Sequence, residues 1–425
     1  MGRLVLLAGL VYGLLLIGLA TLNGGLLALA LPIIVYLGAA LIYAPDVPKL
    51  QITRELSADR VQADAPVAVK LSIRNESGRL EEVLVEDLMP RGLKLIEGQP
   101  NKVVLLPPEK ILEITYTVSG PRGRYEFQQV RVTAADHLGL FRREVLLAAP
   151  GSFIVLPQVP KLRQVMIRPL RTRASTGLIP ARVGGPGVEF FGVREYQTGD
   201  PLRWVNWRVT ARYPRRIYSN EFEQERVADV GLVLDARQRH DLQANGDSLF
   251  EHAVRATASL ADAFLRDGNR VAMLTYGAGL SWLFPGYGRL QRERILQALA
   301  RVQTGESEIF DSLDYLPTRL FPPHSQIVII SSLCNADLAT LIRLRAHGYE
   351  LLIISPDPIA FERASAQADA TLALGARIAQ RERAILLQRL RQAGAQIVDW
   401  PVEKPLDQAV LASLGRVPKW ARPVK

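Results

Sequence analysis

The sequence predicts a multidomain α+β protein with an N-terminal transmembrane helical hairpin, an antiparallel β-sandwich and a doubly wound, Rossmann-like α/β domain. Three observations predict it. Residues 4–43 carry no charge, residues 47–157 alternate apolar and polar side chains between turn motifs, and apolar strands alternate with amphipathic helices after Ala228. The predicted parts are residues 1–45 (hairpin), 46–160 (sandwich), 161–227 (basic linker and signature motif) and 228–425 (α/β domain).

The uncharged N-terminal stretch consists of two apolar runs, Leu4 to Leu22 and Leu26 to Tyr43, separated by Asn23-Gly24-Gly25. Each run is about as long as the roughly 17–25 residues that cross a bilayer, which predicts a membrane anchor. A cleaved signal peptide is the competing interpretation, but the stretch is too long and has no small-residue cleavage site. Because Arg3 and Lys49 flank the hairpin and its turn is uncharged, we expect a cell-membrane protein with cytoplasmic soluble domains.

The composition limits the chemistry. The chain has 425 residues, 52 Lys or Arg against 42 Asp or Glu, and a formal net charge of +10. Such a basic protein favours anionic neighbours such as lipid headgroups or nucleic acid, and the excess is concentrated between residues 161 and 226. The lone Cys334 excludes an intrachain disulfide and indicates a reducing compartment.

The β-rich part is predicted from period-two alternation. Val67, Val69, Leu71 and Ile73 alternate with polar residues and are followed by the turn sequence Asn-Glu-Ser-Gly, which is typical of a half-buried strand. Several such segments predict an antiparallel sandwich without a catalytic constellation, so a spacer or interaction module is expected. Residues 161–188 show no sustained period and are rich in Gly, Pro and Arg, which predicts an exposed basic loop.

The α/β part is predicted from short apolar strands such as "VGLVLDA", "RVAMLTYG", "QIVIIS", "ELLIIS" and "AQIVDW", separated by helical patterns. Apolar strands between helices predict a parallel sheet with helices on both faces. Ligands of such sheets bind at the carboxyl ends of the strands. The segments that follow Leu234, Tyr276, Ile330 and Ile354 are therefore the places to search for a site.

A dense segment, "GVEFFGVREYQTGDPLRWVNWRVTAR", precedes that domain at residues 187–212. Asp200 and Pro201 suit the start of a helix that continues through Asn206 and Trp207. We expect an ionic clasp between the linker and the α/β domain, because buried charges need partners and this segment supplies both signs. An anion or partner-peptide site is the alternative. The expected pairs join Arg194, Arg203 and Arg212 to Glu189, Glu195 and Asp200, held by Tyr196 and Trp207.

This segment resembles the signature of the domain of unknown function 58 (DUF58) family of bacteria and archaea. Its members carry a G-x-E-F-x-G-x-R-E-Y-x-x-G-D-x-x-R-x-x-N-W pattern before a von Willebrand factor type A-like domain. The order of parts is also similar, since members begin with two membrane segments and a β-rich domain. The matching residues of the signature are Glu189, Phe190, Arg194, Glu195, Tyr196, Gly199, Asp200, Arg203, Asn206, Trp207 and Arg212.

The resemblance implies a partner rather than a reaction. Family members often lie beside MoxR-type AAA+ ATPases and are thought to act with them as membrane-linked adaptors, and no enzymatic activity is established for the family. The resemblance further implies a metal-ion-dependent adhesion site, which has the form D-x-S-x-S with a threonine and an aspartate from later loops.

The chain departs from that metal site. Asp235 is retained, but Arg237 and Arg239 replace the serine ligands, and Ser307 and Ser332 stand where threonine and aspartate are expected. Because one carboxylate beside two guanidiniums is a poor set of ligands for a hard cation, we expect no metal and no cofactor here. The arginines either receive a carboxylate of a partner protein or are ordinary solvated side chains.

Motifs of the common enzyme classes are absent from the sequence, including Walker A, G-x-G-x-x-G, G-x-S-x-G and H-E-x-x-H. Cys334 follows an apolar strand and is interpreted as a small, core-adjacent residue. The leading hypothesis is a non-enzymatic membrane-anchored adaptor with no small-molecule substrate and no specific nucleic acid. The alternative is anionic-lipid or nucleic-acid binding through residues 161–216, and a hydrolase that depends on Asp235 is a third hypothesis.

Overall fold

The computed structural model describes residues 2–42, 47–76, 80–135, 140–163, 165, 172–307, 309–365 and 370–414. The chain divides into two compact units, Met1–Leu156 and Pro157–Lys425. Together they form a mixed α/β protein with several sheets.

The N-terminal helices are α1 (Gly2–Ala20) and α2 (Gly24–Ile42). The two helices contact each other beside the turn, where Leu27 lies so close to Gly18 that an added Cβ would be 3.0 Å from its Cδ2 atom. Within the described residues, α2 is long and apolar enough to cross a membrane, and the apolar part of α1, Leu4–Ala20, is shorter. Both predicted helices are present, and their insertion into a membrane remains a prediction.

The rest of the first unit is built of strands in two sheets. One sheet has the order β1-β3-β7-β5 and the other β2-β9-β8-β4-β6. All pairs are antiparallel except β2 with β9. The strands are β1 (Leu50–Leu56), β2 (Arg60–Gln62), β3 (Val67–Asn75), β4 (Leu80–Asp87), β5 (Lys94–Gly98), β6 (Asn101–Leu106), β7 (Ile111–Ser119), β8 (Gly123–Ala135) and β9 (Arg142–Leu156).

Side chains of both sheets share one apolar core. The residues that alternate along β3 are buried, as the period-two pattern predicts. Within the unit, Asp87 accepts hydrogen bonds from Arg54 and Tyr116, and the Arg54 guanidinium carbon lies 4.4 Å from the centre of the Phe127 ring. Burial raises the pKa of Asp87 in spite of these partners.

The second unit is an α/β assembly whose main sheet has the order β15-β14-β11-β16-β17-β18. Its strands are β10 (Thr172–Glu195), β11 (Tyr218–Ala236), β12 (Gln243–Ala244), β13 (Asp247–Ser248), β14 (Arg270–Gly277), β15 (Leu280–Gly286), β16 (Gln326–Ile330), β17 (Glu350–Pro356) and β18 (Gln396–Trp400). Its α-helices are α3 (Trp207–Arg212), α4 (Leu249–Arg266), α5 (Gly288–Arg301), α6 (Asp337–Ala346), α7 (Pro358–Ser365), α8 (Ala370–Gln392) and α9 (Leu406–Leu414). Short 3₁₀ helices lie at Leu202–Trp204, Gln238–His240, Leu313–Tyr315 and Thr318–Leu320.

Strands β14, β11, β16, β17 and β18 run parallel, and β15 returns antiparallel to β14 at the edge. Apolar residues of α6 and α8 share a buried core with this sheet, and α4 contacts β11, β14, β16 and β17. Parallel strands place their carboxyl ends at one edge, so the segments after β11, β14 and β16 meet there.

The prediction of an exposed loop over residues 161–188 is wrong from Thr172 onward. These residues begin β10, which pairs antiparallel with the first part of β11 through four shifts of register. Each shift breaks the two-residue alternation, so the sequence shows no strand period although the backbone is paired. Residues 166–171 lie outside the described part of the chain.

Candidate functional site

The carboxyl edge of the sheet holds a buried ionic cluster. Asp235 is the last residue but one of β11, Ser331 follows β16, and Asp337 begins α6. The chain reverses after β11 through a short 3₁₀ helix that carries His240. We call Asp235, Arg237, His240, Ser331 and Asp337 the Arg237 cluster.

Arg237 lies between the two carboxylates and is only 3% exposed. Its Nε and Nη2 atoms donate to Asp235 at 2.9 and 2.6 Å, and Nη1 and Nη2 donate to Asp337 at 2.9 and 3.0 Å. Nη1 also donates to the carbonyl oxygen of Asp311 at 2.8 Å. The carboxylates raise the pKa of Arg237 although burial opposes this, so the guanidinium stays charged.

The predictions for this site need two corrections. Arg237 is neither solvated nor open to a partner's carboxylate, because two carboxylates of its own chain already occupy it. A second carboxylate, Asp337, is also present where the sequence indicated only Asp235. The guanidinium therefore stands between the two acids in the place where a cation would otherwise neutralise them. Among the described residues, no group of three or more His, Cys, Asp or Glu side chains is arranged to hold a metal ion.

Asp235 has further partners inside its own chain. It accepts hydrogen bonds from the Ser331 hydroxyl at 2.6 Å and from the backbone N–H of Arg237 at 3.1 Å, and His240 Nε2 lies 3.0 Å from its Oδ2 atom. Burial acts to raise the pKa of Asp235, but His240 and Arg237 outweigh it and hold that pKa far below its usual range. A carboxylate with so many donors is a poor general base.

Ser332 contacts His240 instead of Asp235, which gives the order serine, histidine, aspartate found in nucleophilic triads. The order alone does not make a nucleophile, because Ser332 and His240 are only 6% and 8% exposed and neither lines the neighbouring cavity. A triad needs room for a substrate carbonyl beside the serine hydroxyl. The arrangement therefore fits a hydrogen-bonded core.

Cys334 lies at the margin of the Arg237 cluster. Its Sγ atom is 3.2 Å from Asp337 Oδ2, and its backbone N–H donates to the same oxygen at 3.0 Å. Burial and the Asp337 carboxylate raise the pKa of the Cys334 thiol, so the unreactive protonated form is favoured.

A cavity of about 660 Å³ opens next to the cluster. We call it the rim cavity, and it is lined by Arg237, Gln238, Arg239, Gly305, Glu306, Ser307, Phe310 and Asp311. Arg239 is partly exposed and pairs with the Asp311 carboxylate. Three of the five predicted site residues thus line one cavity, while Asp235 lies in the cluster and Ser332 contacts His240.

The signature segment contains one strong ion pair. Arg194 donates to both carboxylate oxygens of Asp200, at 2.8 and 2.7 Å, and the Gln197 N–H donates to the same carboxylate. These donors lower the pKa of Asp200. Glu195 pairs with Arg216, a partner that the sequence did not indicate.

Other expectations for this segment are wrong. Asp200 caps no helix, because Arg194 engages it, and the predicted helix is interrupted at Val205. Instead, Asn206 caps α3 by accepting the Val209 N–H at 3.0 Å, and its Nδ2 donates to Asn220 at 2.8 Å. Three other members of the signature take no visible part in a clasp. Arg203 and Arg212 form no ion pair with any described side chain, Trp207 is 68% exposed, and the Glu189 side chain lies outside the described part.

The fold and site thus define an α/β unit in which two buried carboxylates at the carboxyl edge of the sheet pair with one arginine of the same chain. Residues 192–359 match the model of a family described as "Protein of unknown function DUF58". This match confirms, for those residues, the resemblance drawn from the signature segment.

Three mycobacterial proteins are similar to the chain. They are the uncharacterized protein Mb1516 of Mycobacterium bovis and the uncharacterized proteins MT1527 and Rv1480 of Mycobacterium tuberculosis, each 30% identical over 125 residues. The aligned part is 29% of this chain and spans only 38% of the length of each relative.

Among solved structures, similar chains are β-rich domains. The CARDB domain of the PF1109 protein from Pyrococcus furiosus is 18% identical and covers 26% of this chain and 96% of its own, with a TM-score of 0.19. A FixG-related protein from Vibrio parahaemolyticus is 13% identical and covers 26% and 98%, with a TM-score of 0.18. Similarities this low support no functional argument.

Proposed function

We propose that the protein is a non-enzymatic, membrane-anchored adaptor whose α/β unit docks a cytoplasmic protein partner, a MoxR-type AAA+ ATPase. In this proposal residues 46–160 are a β-sandwich spacer and the α/β unit is von Willebrand factor type A-like. The observation that carries the proposal is the Arg237 cluster, since the edge where this class of sheet binds ligands is occupied by two carboxylates and an arginine of the chain itself that pair with one another.

The cluster supports docking over catalysis for an energetic reason. Two buried carboxylates and one buried guanidinium are stable only with complete partners, and here each carboxylate is engaged by the same arginine. Such a network ties the segments after β11 and β16 to α6, and both carboxylates of the cluster already accept hydrogen bonds within the chain. A rim with exposed charge beside it suits recognition of another protein.

The membrane anchor is supported by the N-terminal helices. Large apolar side chains cover their surfaces and are exposed, for example Leu6, Leu19, Leu31 and Leu41. Water does not favour such surfaces, whereas the hydrocarbon core of a bilayer does. In this proposal both helices insert and the soluble units face the cytoplasm.

Co-purification from native membranes tests the adaptor function. The tagged full-length protein is compared with Arg239→Glu, which reverses the charge of one rim side chain, and with Arg319→Glu, which changes another exposed arginine near the opposite end of the strands. We expect wild type and Arg319→Glu to retain the AAA+ ATPase and Arg239→Glu to lose most of it, as measured by quantitative mass spectrometry. Absence of the ATPase from all three samples refutes the proposal.

Contact with an anionic lipid surface is a second candidate function, favoured by one patch. Leu202, Trp207, Tyr213 and Ile217 are exposed large apolar side chains, and exposed arginines at 203, 208, 212 and 215 lie among them. Apolar and basic side chains on one surface are typical of membrane-interface binding.

Hydrogen exchange of full-length protein in nanodiscs tests this candidate. Anionic lipid should protect residues 202–217 relative to neutral lipid, and high salt should remove the protection. Equal exchange in both lipids argues against it, and protection by added single-stranded DNA alone indicates nucleic-acid binding instead.

A further inference from the structure

A second cavity lies at the same edge of the sheet, beside the ends of β11 and β14. It encloses about 530 Å³ between α5 and the turn that joins β14 to β15, and Ala236 and Gly277 line its floor. We call it the α5 groove. Its volume is within the range of ligand sites, and its position at the carboxyl ends of parallel strands is where such sheets bind ligands.

Thr275 leaves an unsatisfied polar atom at the wall of this groove. The residue is 8% exposed and lines the groove, and its buried Oγ1 atom has no hydrogen-bond partner among the described residues. A buried hydroxyl without a partner costs about 1–3 kcal/mol, so most are satisfied in folded proteins. Because the Oγ1 atom itself is covered, the Thr275 side chain must rotate about χ1 for the hydroxyl to meet a ligand acceptor.

The groove also carries positive charge that is not balanced by acidic side chains. Arg294 and Arg301 line it from α5 and are exposed, and neither forms an ion pair with a described side chain. Within the described part of the chain, no Asp or Glu lines the groove. Because seven residues of helix rise about 10 Å, the two guanidiniums are based two turns apart on one side of α5.

The remaining walls combine apolar side chains, including Leu280, Leu283 and Val302, with the polar residues Ser281, Gln297 and Gln303. A ligand must therefore offer an apolar group between two anions whose spacing is comparable to the roughly 10 Å between the two arginine positions on α5. In an extended peptide every second side chain projects from the same face, so two acids four positions apart, about 13 Å, flank an apolar residue on that face, and the long arginine side chains span this distance. A single phosphate or carboxylate would engage one arginine and leave the apolar walls uncovered.

We propose that the α5 groove binds an acidic peptide segment with an apolar side chain between two carboxylates. The carboxylates pair with Arg294 and Arg301, the apolar side chain packs on Leu280 and Leu283, and a peptide carbonyl accepts from Thr275 Oγ1. This inference rests on the adaptor function and specifies the chemistry of the partner.

Selection from a random decapeptide phage library on full-length protein in nanodiscs tests it. Enriched peptides should carry Asp or Glu four positions apart with an apolar residue midway between them. In fluorescence polarisation, Arg294→Gln or Arg301→Gln should weaken the best peptide about 10- to 100-fold, and Thr275→Val about 5-fold. The control Arg292→Gln removes an α5 arginine that pairs with Asp262 at 2.5 Å outside the groove, and it should leave the affinity unchanged.

Three results overturn the inference: no enrichment of the acid pair, unchanged affinity in both Arg294→Gln and Arg301→Gln, or displacement of the peptide by micromolar inorganic phosphate alone. Failure here differs from failure of the adaptor function. If no peptide is selected but the protein still retains the ATPase, only the groove proposal fails. If peptides are still selected but the ATPase is absent, only the named partner is wrong.

Discussion

Among single residues, Arg237 matters most for the proposed site, because its guanidinium forms ion pairs with two buried carboxylates at once. Asp235 and Arg237 can be identified from the sequence, but their burial and their partners cannot. Asp337 is 100 residues from Arg237 along the chain, so no local pattern connects them. An arginine after a strand was expected at the surface, since an unpaired charge is seldom buried. Ser331, next to the indicated Ser332, is the serine that contacts Asp235.

Replacement of Arg237 by Met should lower the free energy of unfolding by about 3–5 kcal/mol, because it leaves Asp235 and Asp337 buried without a cation. Urea unfolding of the detergent-solubilised protein, followed by circular dichroism, measures the change. Adding Asp337→Asn should restore part of the loss. Arg239→Ala, which removes a partly exposed pair, should cost about 1 kcal/mol or less, and equal losses in the two arginine variants would contradict the assignment.

The depressed pKa of Asp235 predicts a pH dependence with a defined sign. Folding favours the ionised form, so the stabilisation is fully present above the ordinary pKa of 3.8 and is lost as the pH falls through the folded value. The difference in unfolding free energy between wild type and Asp235→Asn should therefore be constant near neutral pH and shrink below about pH 4. Urea titrations over that pH range measure it, and a difference that grows on acidification refutes the prediction.

Among the secondary-structure elements, the sequence predicts a strand correctly where one hydrophobic pattern continues along the whole segment. Strands β14, β16, β17 and β18 are nearly continuous apolar runs and were located within a residue or two of their ends. Strand β10 was missed because its register shifts interrupt the pattern, and β15 was missed because it alternates only weakly at an edge. Pairing between distant segments, which decides both cases, is not encoded in local periodicity.

The packing of β11 against the 3₁₀ helix at Thr318–Leu320 and the following Phe321 depends on Gly231. A Cβ added at Gly231 would lie 2.3 Å from Phe321 Cδ1, so Gly231→Ala should destabilise the protein by about 1–3 kcal/mol through overpacking. Thermal unfolding measures the effect. Adding Phe321→Leu should recover part of it. Gly279→Ala, which would meet no atom within 4 Å, is the matched control and should change little.

At the scale of the whole molecule, the order of parts was predictable from composition, but the chemistry of the site was not. The first stretch lacks charge, the second alternates apolar and polar residues, and the third alternates apolar strands with helical patterns. Because each pattern continues over many residues, each part can be recognised in the sequence. The Arg237 cluster depends instead on contacts among β11, β16 and α6, which are far apart in the sequence. The α5 groove likewise brings together Thr275, Arg294 and Arg301, and no sequence motif links these three residues. In the proposed function, the apolar N-terminal helices hold the binding surface of the second unit at a membrane.

Photocrosslinking in living cells tests the central claim, that a protein partner binds at the carboxyl edge of the sheet. A benzophenone amino acid is placed at Gln238, which lines the rim cavity, or at Arg319 near the opposite end of the strands. We expect a crosslink to the AAA+ ATPase from position 238 that is absent from position 319 and is weakened by Arg239→Glu. Equal crosslinking from both positions, or none from position 238 while the protein is correctly inserted, would show that the partner does not bind at this edge.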